Sequence, residues 1–266
     1  MRIPFWKAHG AGNDFLFTFA YDVAIPESRL PEAAVAICDR HTGVGADGWY
    51  LVEPSEVADA RIRLFNSDGS PAELSGNGTR CAAALLLETG RVAGHARIET
   101  GAGVKHLELR GLDGGCYRLS MDAGRARLVE RAWGPRGAVV IDVGNPQCAV
   151  PVANWDFDWR AVGREIEGDS HFPARTNVSF FRRTDDHVIE ARFYERGAGP
   201  TRSSGTGSIG AALAAVLVRS VVPPIRVITE GGDLLVEGSL DSNVTLTGPA
   251  ELTAKGEFIM QVEWKE

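Results

Sequence analysis

The 266-residue sequence predicts an α+β protein made of two similar halves, each a β-sheet curled around one buried helix. Three observations carry that expectation. Ser75-Gly76-Asn77-Gly78 returns 129 residues later as Ser204-Gly205-Thr206-Gly207, and at the same offset Arg63, Pro71, Ala82 and Ala83 fall on Arg192, Pro200, Ala211 and Ala212. Each copy is preceded by a run with strand-like alternation and followed by an alanine-rich apolar stretch. A period of half the chain, repeated once, is too long for a solenoid unit of roughly 20 to 50 residues, so duplication of a domain is the expected origin.

The elements follow in order. Phe15 to Phe19 reads as a strand from its apolar and β-branched content. Pro31 to Asp39 reads as a surface helix, opening on a proline where a missing N–H costs little. Ile62 to Phe65 and Ile189 to Tyr194 are the strands that run into the two glycine loops. Cys81 to Leu87 and Ile209 to Val218 are helices apolar on nearly every face, a composition that requires wrapping on all sides. Trp155 to Ile166 is the expected second-half counterpart of the first surface helix. Val139 to Val143, Val178 to Phe181, Ile225 to Thr229 and Val244 to Thr247 complete the strands, with turns at Asp113-Gly114-Gly115 and Gly231-Gly232-Asp233.

Composition narrows the function. A net charge of −7 and only short basic runs such as Arg182-Arg183 argue against a nucleic-acid partner, whose phosphates demand clustered Lys and Arg. No apolar run approaches the ~20 residues of a membrane helix, and the amino terminus lacks the pattern of a signal peptide, so a cytoplasmic location and no membrane partner are expected. Cys38, Cys81, Cys116 and Cys148 show no paired spacing and read as buried thiols. No His, Cys or Asp pair has metal-ligand spacing, and no metal is expected.

The chemistry concentrates in the two glycine loops. Each opens a helix, where the first N–H groups lack intrahelical partners and the aligned peptide dipoles favour negative charge. Either loop alone is explained by Ser75 or Ser204 capping its helix. Two copies in corresponding places point to a carboxylate or phosphate site built from two facing half-sites.

A further set of motifs runs nearly end to end: His9-Gly10-Ala11-Gly12-Asn13-Asp14-Phe15, Arg40-His41-Thr42-Gly43-Val44-Gly45-Ala46-Asp47, Phe65-Asn66-Ser67-Asp68-Gly69-Ser70, Gly144-Asn145-Pro146, Thr176-Asn177-Val178 and Tyr194-Glu195-Arg196-Gly197-Ala198-Gly199. With these the chain resembles the diaminopimelate epimerase family, cofactor-independent two-domain epimerases and racemases. The resemblance implies the family's fold, with domains over residues 1–120 and 121–266 and a last strand that packs back on the first domain. It also implies no cofactor, a small amino diacid as ligand, a place in lysine and cell-wall precursor synthesis, and room for a homodimer. In that family two cysteines, one per domain, act on opposite faces of the substrate α-carbon. Their positions here are Ser75 and Ser204, with Glu195 as the acidic helper. Asn13, Asn66, Asn145, Asn177, Glu195 and Arg196 are the residues the resemblance assigns to the distal amino and carboxylate groups. The N–H groups of Gly76-Asn77 and Gly205-Thr206 are assigned to the reacting carboxylate.

The departures are chemical. A cysteine is partly thiolate at neutral pH, whereas a serine hydroxyl needs a neighbouring base. The family's Gly-Asn-Pro-His stretch here ends in Gln147, which cannot take a proton usefully, and Gly48 stands where the family often carries glutamine. Three readings follow: an epimerase acting on diaminopimelate, an isomerase of another small acid on the same fold, or a non-catalytic binder of a diacid.

Overall fold

The computed structural model describes residues 1–240 and 242–261, and the chain divides into two compact units. The first comprises Met1–Leu119 together with the chain from Pro249 onward; the second is Ser120–Gly248.

In the first unit β1 (Arg2–Gly10) pairs antiparallel with β2 (Asn13–Phe19), and β2 runs parallel to β3 (Gly48–Glu53). Next, β3 pairs antiparallel with β4 (Ala60–Asn66), which takes β5 (Pro71–Ala72) antiparallel at one end and β6 (His95–Thr100) parallel at the other. β7 (Gly103–Asp113) then pairs with β6. The parallel connection from β2 to β3 is made through α1 (Leu30–Cys38), and α2 (Gly76–Glu88) lies between β5 and β6.

The second unit repeats this wiring. β10 (Ala138–Asp142) pairs antiparallel with β11 (Pro146–Pro151), which is parallel to β12 (Asn177–Asp185) across α3 (Trp159–Glu167). β12 is antiparallel to β13 (Val188–Glu195), which takes β14 (Gly199–Thr201) antiparallel and β15 (Ile225–Thr229) parallel on either side of α4 (Gly205–Leu217). β16 (Gly232–Glu237) pairs with β15 as β7 does with β6. Even the register is kept, since Trp49 opposite Phe65 corresponds to Val178 opposite Tyr194 across the 129-residue offset. Two further strands, β8 (Cys116–Arg125) and β9 (Arg127–Trp133), lead from one unit into the next. β17 (Asn243–Ile259) begins beside β16 and ends beside β1, returning the chain to the first unit.

Alternation along the strands explains the layers. Trp49 and Leu51 of β3 join Leu30, Ala33, Ala34 and Ile37 of α1 in one apolar cluster. Tyr50, between them, turns to the opposite face, stacked on Phe17 with ring centres 4.9 Å apart. In the second unit Val178 and Phe180 join Trp159 of α3, while Phe181 joins the cluster around α4. α2 packs against β1, β2 and β6, and α4 against strands from β10 to β16, so each sheet wraps its helix. The helices are correspondingly buried without a break, over residues 77–86 in α2 and 207–215 in α4.

Two expectations need correction. The second surface helix begins at Trp159 rather than Trp155, because Asp158 caps it by accepting from the N–H groups of Arg160 and Ala161. The short strand expected at Val244 to Thr247 is the first part of a 17-residue strand.

Candidate active site

Each glycine loop begins with its serine in an extended conformation, the geometry that aims a hydroxyl back at the helix. Ser75 Oγ accepts from the Gly78 N–H at 3.2 Å, and Ser204 Oγ accepts from the Gly207 N–H at 3.1 Å. The fourth helical N–H in each case returns to the serine carbonyl, Thr79 to Ser75 and Ser208 to Ser204. Among the described residues this leaves the N–H groups of Gly76 and Asn77, and of Gly205 and Thr206, as the donors still without partners.

In the first unit Asn13 and Asn77 meet at the mouth of α2, the Asn77 amide donating to Asn13 Oδ1 at 3.3 Å. Asn13 in turn donates to Asp47 at 2.6 Å, and Asp47 and Asp14 share the Arg40 guanidinium, with Lys7 on Asp14 at 3.1 Å. Burial pushes the Asp14 carboxyl up, but Arg40 and Lys7 outweigh it and hold it below its ordinary value. Behind Asn77 lies Arg80, fully buried, donating to Asn77 Oδ1 and to the Pro249 carbonyl. Burial pulls its guanidinium down to about 10, so it is charged at neutral pH. Asn66 stands apart from this chain of bonds, donating to Ser70 Oγ at 3.0 Å.

In the second unit the equivalent pair is Asn145 and Thr206, and the group that holds them is Gln147. Its Nε2 donates to Asn145 Oδ1 at 2.8 Å and Thr206 Oγ1 at 3.0 Å, while Oε1 is buried without a partner. Gln147 thus spends both amide protons on orienting neighbours and offers no base to Ser204. Asn177 bridges the next strand, donating to the Pro146 carbonyl and accepting from the Arg196 N–H, each at 3.0 Å. The Arg196 guanidinium is exposed, with one N–H on the Ala174 carbonyl, and Glu195 ends β13 just before the turn. That turn is pinned from below by Glu167, a buried carboxylate that accepts from the Gly197 N–H and from Arg175.

Several residues of this wiring were not among the sequence-derived candidates, notably Arg80, Tyr50, Glu167 and the cluster of Asp47, Arg40, Asp14 and Lys7. Tyr50 is fully buried, its hydroxyl pressed against Gly78 and lying by Ser75 outside hydrogen-bonding geometry; burial drives its phenol well above the ordinary range. For Arg80 a signal existed, since a cation opening a wholly apolar helix is costly unless something uses it. The thiols of Cys38, Cys81 and Cys148 are pushed up to about 12 by burial, so none is an alternative thiolate. Among the described residues no cluster of His, Cys, Asp and Glu has the makings of a metal site.

The diaminopimelate epimerase profile matches residues 5–129 and 139–253. The diaminopimelate epimerase of Pelotomaculum thermopropionicum is 39% identical, covering 96% of this chain and 98% of its own. The diaminopimelate epimerase of Archaeoglobus fulgidus is 37% identical, with 96% of each chain covered. This chain belongs to the diaminopimelate epimerase family. It is an isomerase of the epimerase type. Among solved structures, a phenazine biosynthesis protein of the PhzF family from Bacillus anthracis superposes with a TM-score of 0.77 at 18% identity, covering 98% of this chain and all of the other. A hydroxyproline epimerase from Agrobacterium vitis does so with 0.67 at 18% identity, covering 96% and 90%. At that identity the likeness shows the fold, two pseudo-symmetric α+β domains with a helix inside each curled sheet.

Proposed function

We propose that this chain is a diaminopimelate epimerase-like isomerase that inverts an α-carbon of a diamino diacid in the cytoplasm, without a bound cofactor, as part of lysine and cell-wall precursor synthesis. The observation that supports this most is the pair of equivalent half-sites: in each unit a serine-capped helix keeps two backbone N–H groups free beside an amide held in one orientation by a buried donor. Such donors stabilise the charge that builds on a carboxylate when the adjacent C–H is deprotonated. Asn13, Asn66, Asn145, Asn177, Glu195 and Arg196 are assigned to the distal end of the ligand, where a guanidinium can take a carboxylate through two parallel bonds. No helix among the described residues is long and apolar enough to cross a membrane.

Inversion by two bases removes a proton from one face of the carbon and delivers one to the other. Ser75 and Ser204 occupy the places of that pair, and both hydroxyls are poor at the task because neither receives a hydrogen bond from, or gives one to, a carboxylate or imidazole among the described residues. Each pKa unit of mismatch costs about 1.4 kcal/mol, so exchange through serine is slow relative to exchange through a thiol. Incubating L,L-diaminopimelate with the protein in deuterated water and following the α-hydrogen tests the reading. The expected result is slow exchange that rises by orders of magnitude in the Ser75→Cys/Ser204→Cys double variant. If calorimetry detects no binding at millimolar diaminopimelate, the substrate assignment fails; binding without exchange in either protein would make the chain a diacid binder.

A further inference from the structure

Arg80 is a fully buried cation with no carboxylate partner among the described residues. One of its terminal nitrogens, Nη1, has no hydrogen-bond partner among the described residues. The fold does not require a charge here: the corresponding residue of the duplicate helix α4 is Ile209, packed in an apolar cluster. An unpaired buried charge is among the most costly features a core can hold, and replacing it with an apolar side chain of similar volume is commonly neutral or stabilising. Arg80 therefore costs the first unit stability that the second avoids.

What it supplies is direction and charge. Arg80 Nη2 donates to Asn77 Oδ1, which obliges Asn77 Nδ2 to donate to Asn13 Oδ1, which obliges Asn13 Nδ2 to donate to Asp47. With the guanidinium unable to accept a hydrogen bond, neither amide can flip without losing its partner. We propose that Arg80 is the positioning residue of the first half-site, locking the Asn13 and Asn77 amides in one orientation and setting an uncompensated positive charge behind the first turn of α2, for which the carboxylate of the ligand is the missing counter-ion. This rests on the carboxylate-binding role assigned above to the Gly76 and Asn77 N–H groups. The guanidinium bonds the side chain of Asn77, itself a residue of that turn, so Arg80 acts through it.

The test compares the full chain with its Arg80→Met and Arg80→Lys variants, using acetate, the simplest stable carboxylate, and diaminopimelate as separate probes. The expected result has three parts. Arg80→Met unfolds at the same temperature as the parent or higher; its saturable acetate shifts at the Gly76, Asn77 and Gly78 amides weaken at least tenfold; and its Asn13 and Asn77 side-chain amide signals lose their distinct positions. Arg80→Lys, which keeps the charge, retains most of the acetate affinity. Lower stability or failed folding in Arg80→Met would make Arg80 a structural element and overturn the proposal, as would equal acetate affinity in parent and Arg80→Met or no saturable acetate shift in the parent. Loss of diaminopimelate binding in the parent with acetate binding intact would sink the substrate assignment alone.

Discussion

The two units share the six pairings that link β1 to β7 and β10 to β16, and almost none of their polar wiring. In the first, a cation on the helix fixes Asn77 and Asn13, and the line of donors runs outward to a cluster of Asp47, Asp14, Arg40 and Lys7. In the second, a neutral amide on a strand fixes Asn145 and Thr206, and among the described residues the line goes no further. Behind the loops the contrast repeats. Tyr50 leaves its hydroxyl unpartnered under α2, whereas Ser179, its counterpart, donates to the Gly207 carbonyl at 3.1 Å. Cys38 closes α1 as a buried thiol, and Glu167 closes α3 as a buried carboxylate. Duplication preserved what backbone hydrogen bonding and apolar burial demand, and left free the side chains that a two-ended ligand would need to differ.

The sharpest way to break the comparison is at the glycines that let the strands approach each helix. A Cβ at Gly78 would lie 2.2 Å from Tyr50 Oη, and one at Gly207 would lie 2.7 Å from Phe193 Cδ1. Gly78→Ala should therefore cost about 3 kcal/mol in chemical denaturation and Gly207→Ala nearer 1 kcal/mol, overpacking being partly offset by the better helix propensity of alanine. Equal losses would mean Tyr50 yields as easily as Phe193.

Next in size is Glu167→Gln, expected to cost roughly 2 kcal/mol by weakening a charge-assisted pair and the bond to the Gly197 N–H. Faster hydrogen exchange at Gly197 should accompany it. Unchanged exchange would detach Glu167 from the turn that follows Glu195.

Equivalent positions should then give opposite signs. Tyr50→Phe removes a buried hydroxyl that has no partner and should raise stability by up to about 1 kcal/mol, while Ser179→Ala removes a made bond and should lower it by about 1 kcal/mol. Destabilisation by Tyr50→Phe would show that the phenol is bonded in solution, with Ser75 the candidate acceptor.

The smallest effect is the most diagnostic of the charge difference. Because Asp14 is held below its unfolded value of 3.8, the stability it contributes is present above that pH and is lost as pH falls through the lower folded value. Asp14→Asn should cost stability at neutral pH and flatten the decline below pH 4. An acid limb of unchanged slope would assign the loss to other carboxylates, such as Glu190.

Much of this architecture is legible in the sequence because apolar periodicity and duplication speak for the same elements. Ile225 to Thr229 is a strand to the residue, and the two wholly apolar helices could only be central. The strands that went unread, β1, β3 and β11 among them, are short or mixed in composition and owe their pairing to neighbours distant in sequence. At the site, Asn13 and Asn77, Asn145 and Thr206, and Asn177 and Arg196 are hydrogen-bonded in pairs, whereas Asn66 bonds only within its own turn. What the sequence could not reveal is the second layer. Arg80 and Gln147 spend donors on asparagines only three and two residues away, but nothing local announces that Arg80 also reaches the Pro249 carbonyl or that Gln147 also reaches Thr206 on another element.

The path of β17 bears on the order in which the protein matures on the ribosome. The first unit is completed only when residues 251–259 pair with β1, and the Met1 amine donates to the Met260 carbonyl at 2.9 Å. The second unit is continuous from Ser120 to Gly248, so all of its residues are added before residues 251–259 are. The half that is synthesised first is thus finished last, and until then β1 is an open edge of the kind that invites mispairing. A fragment ending at residue 248 and released from the ribosome should protect the amides of β12 and β13 from exchange while those of β1 stay open; protection of β1 in that fragment would refute this order.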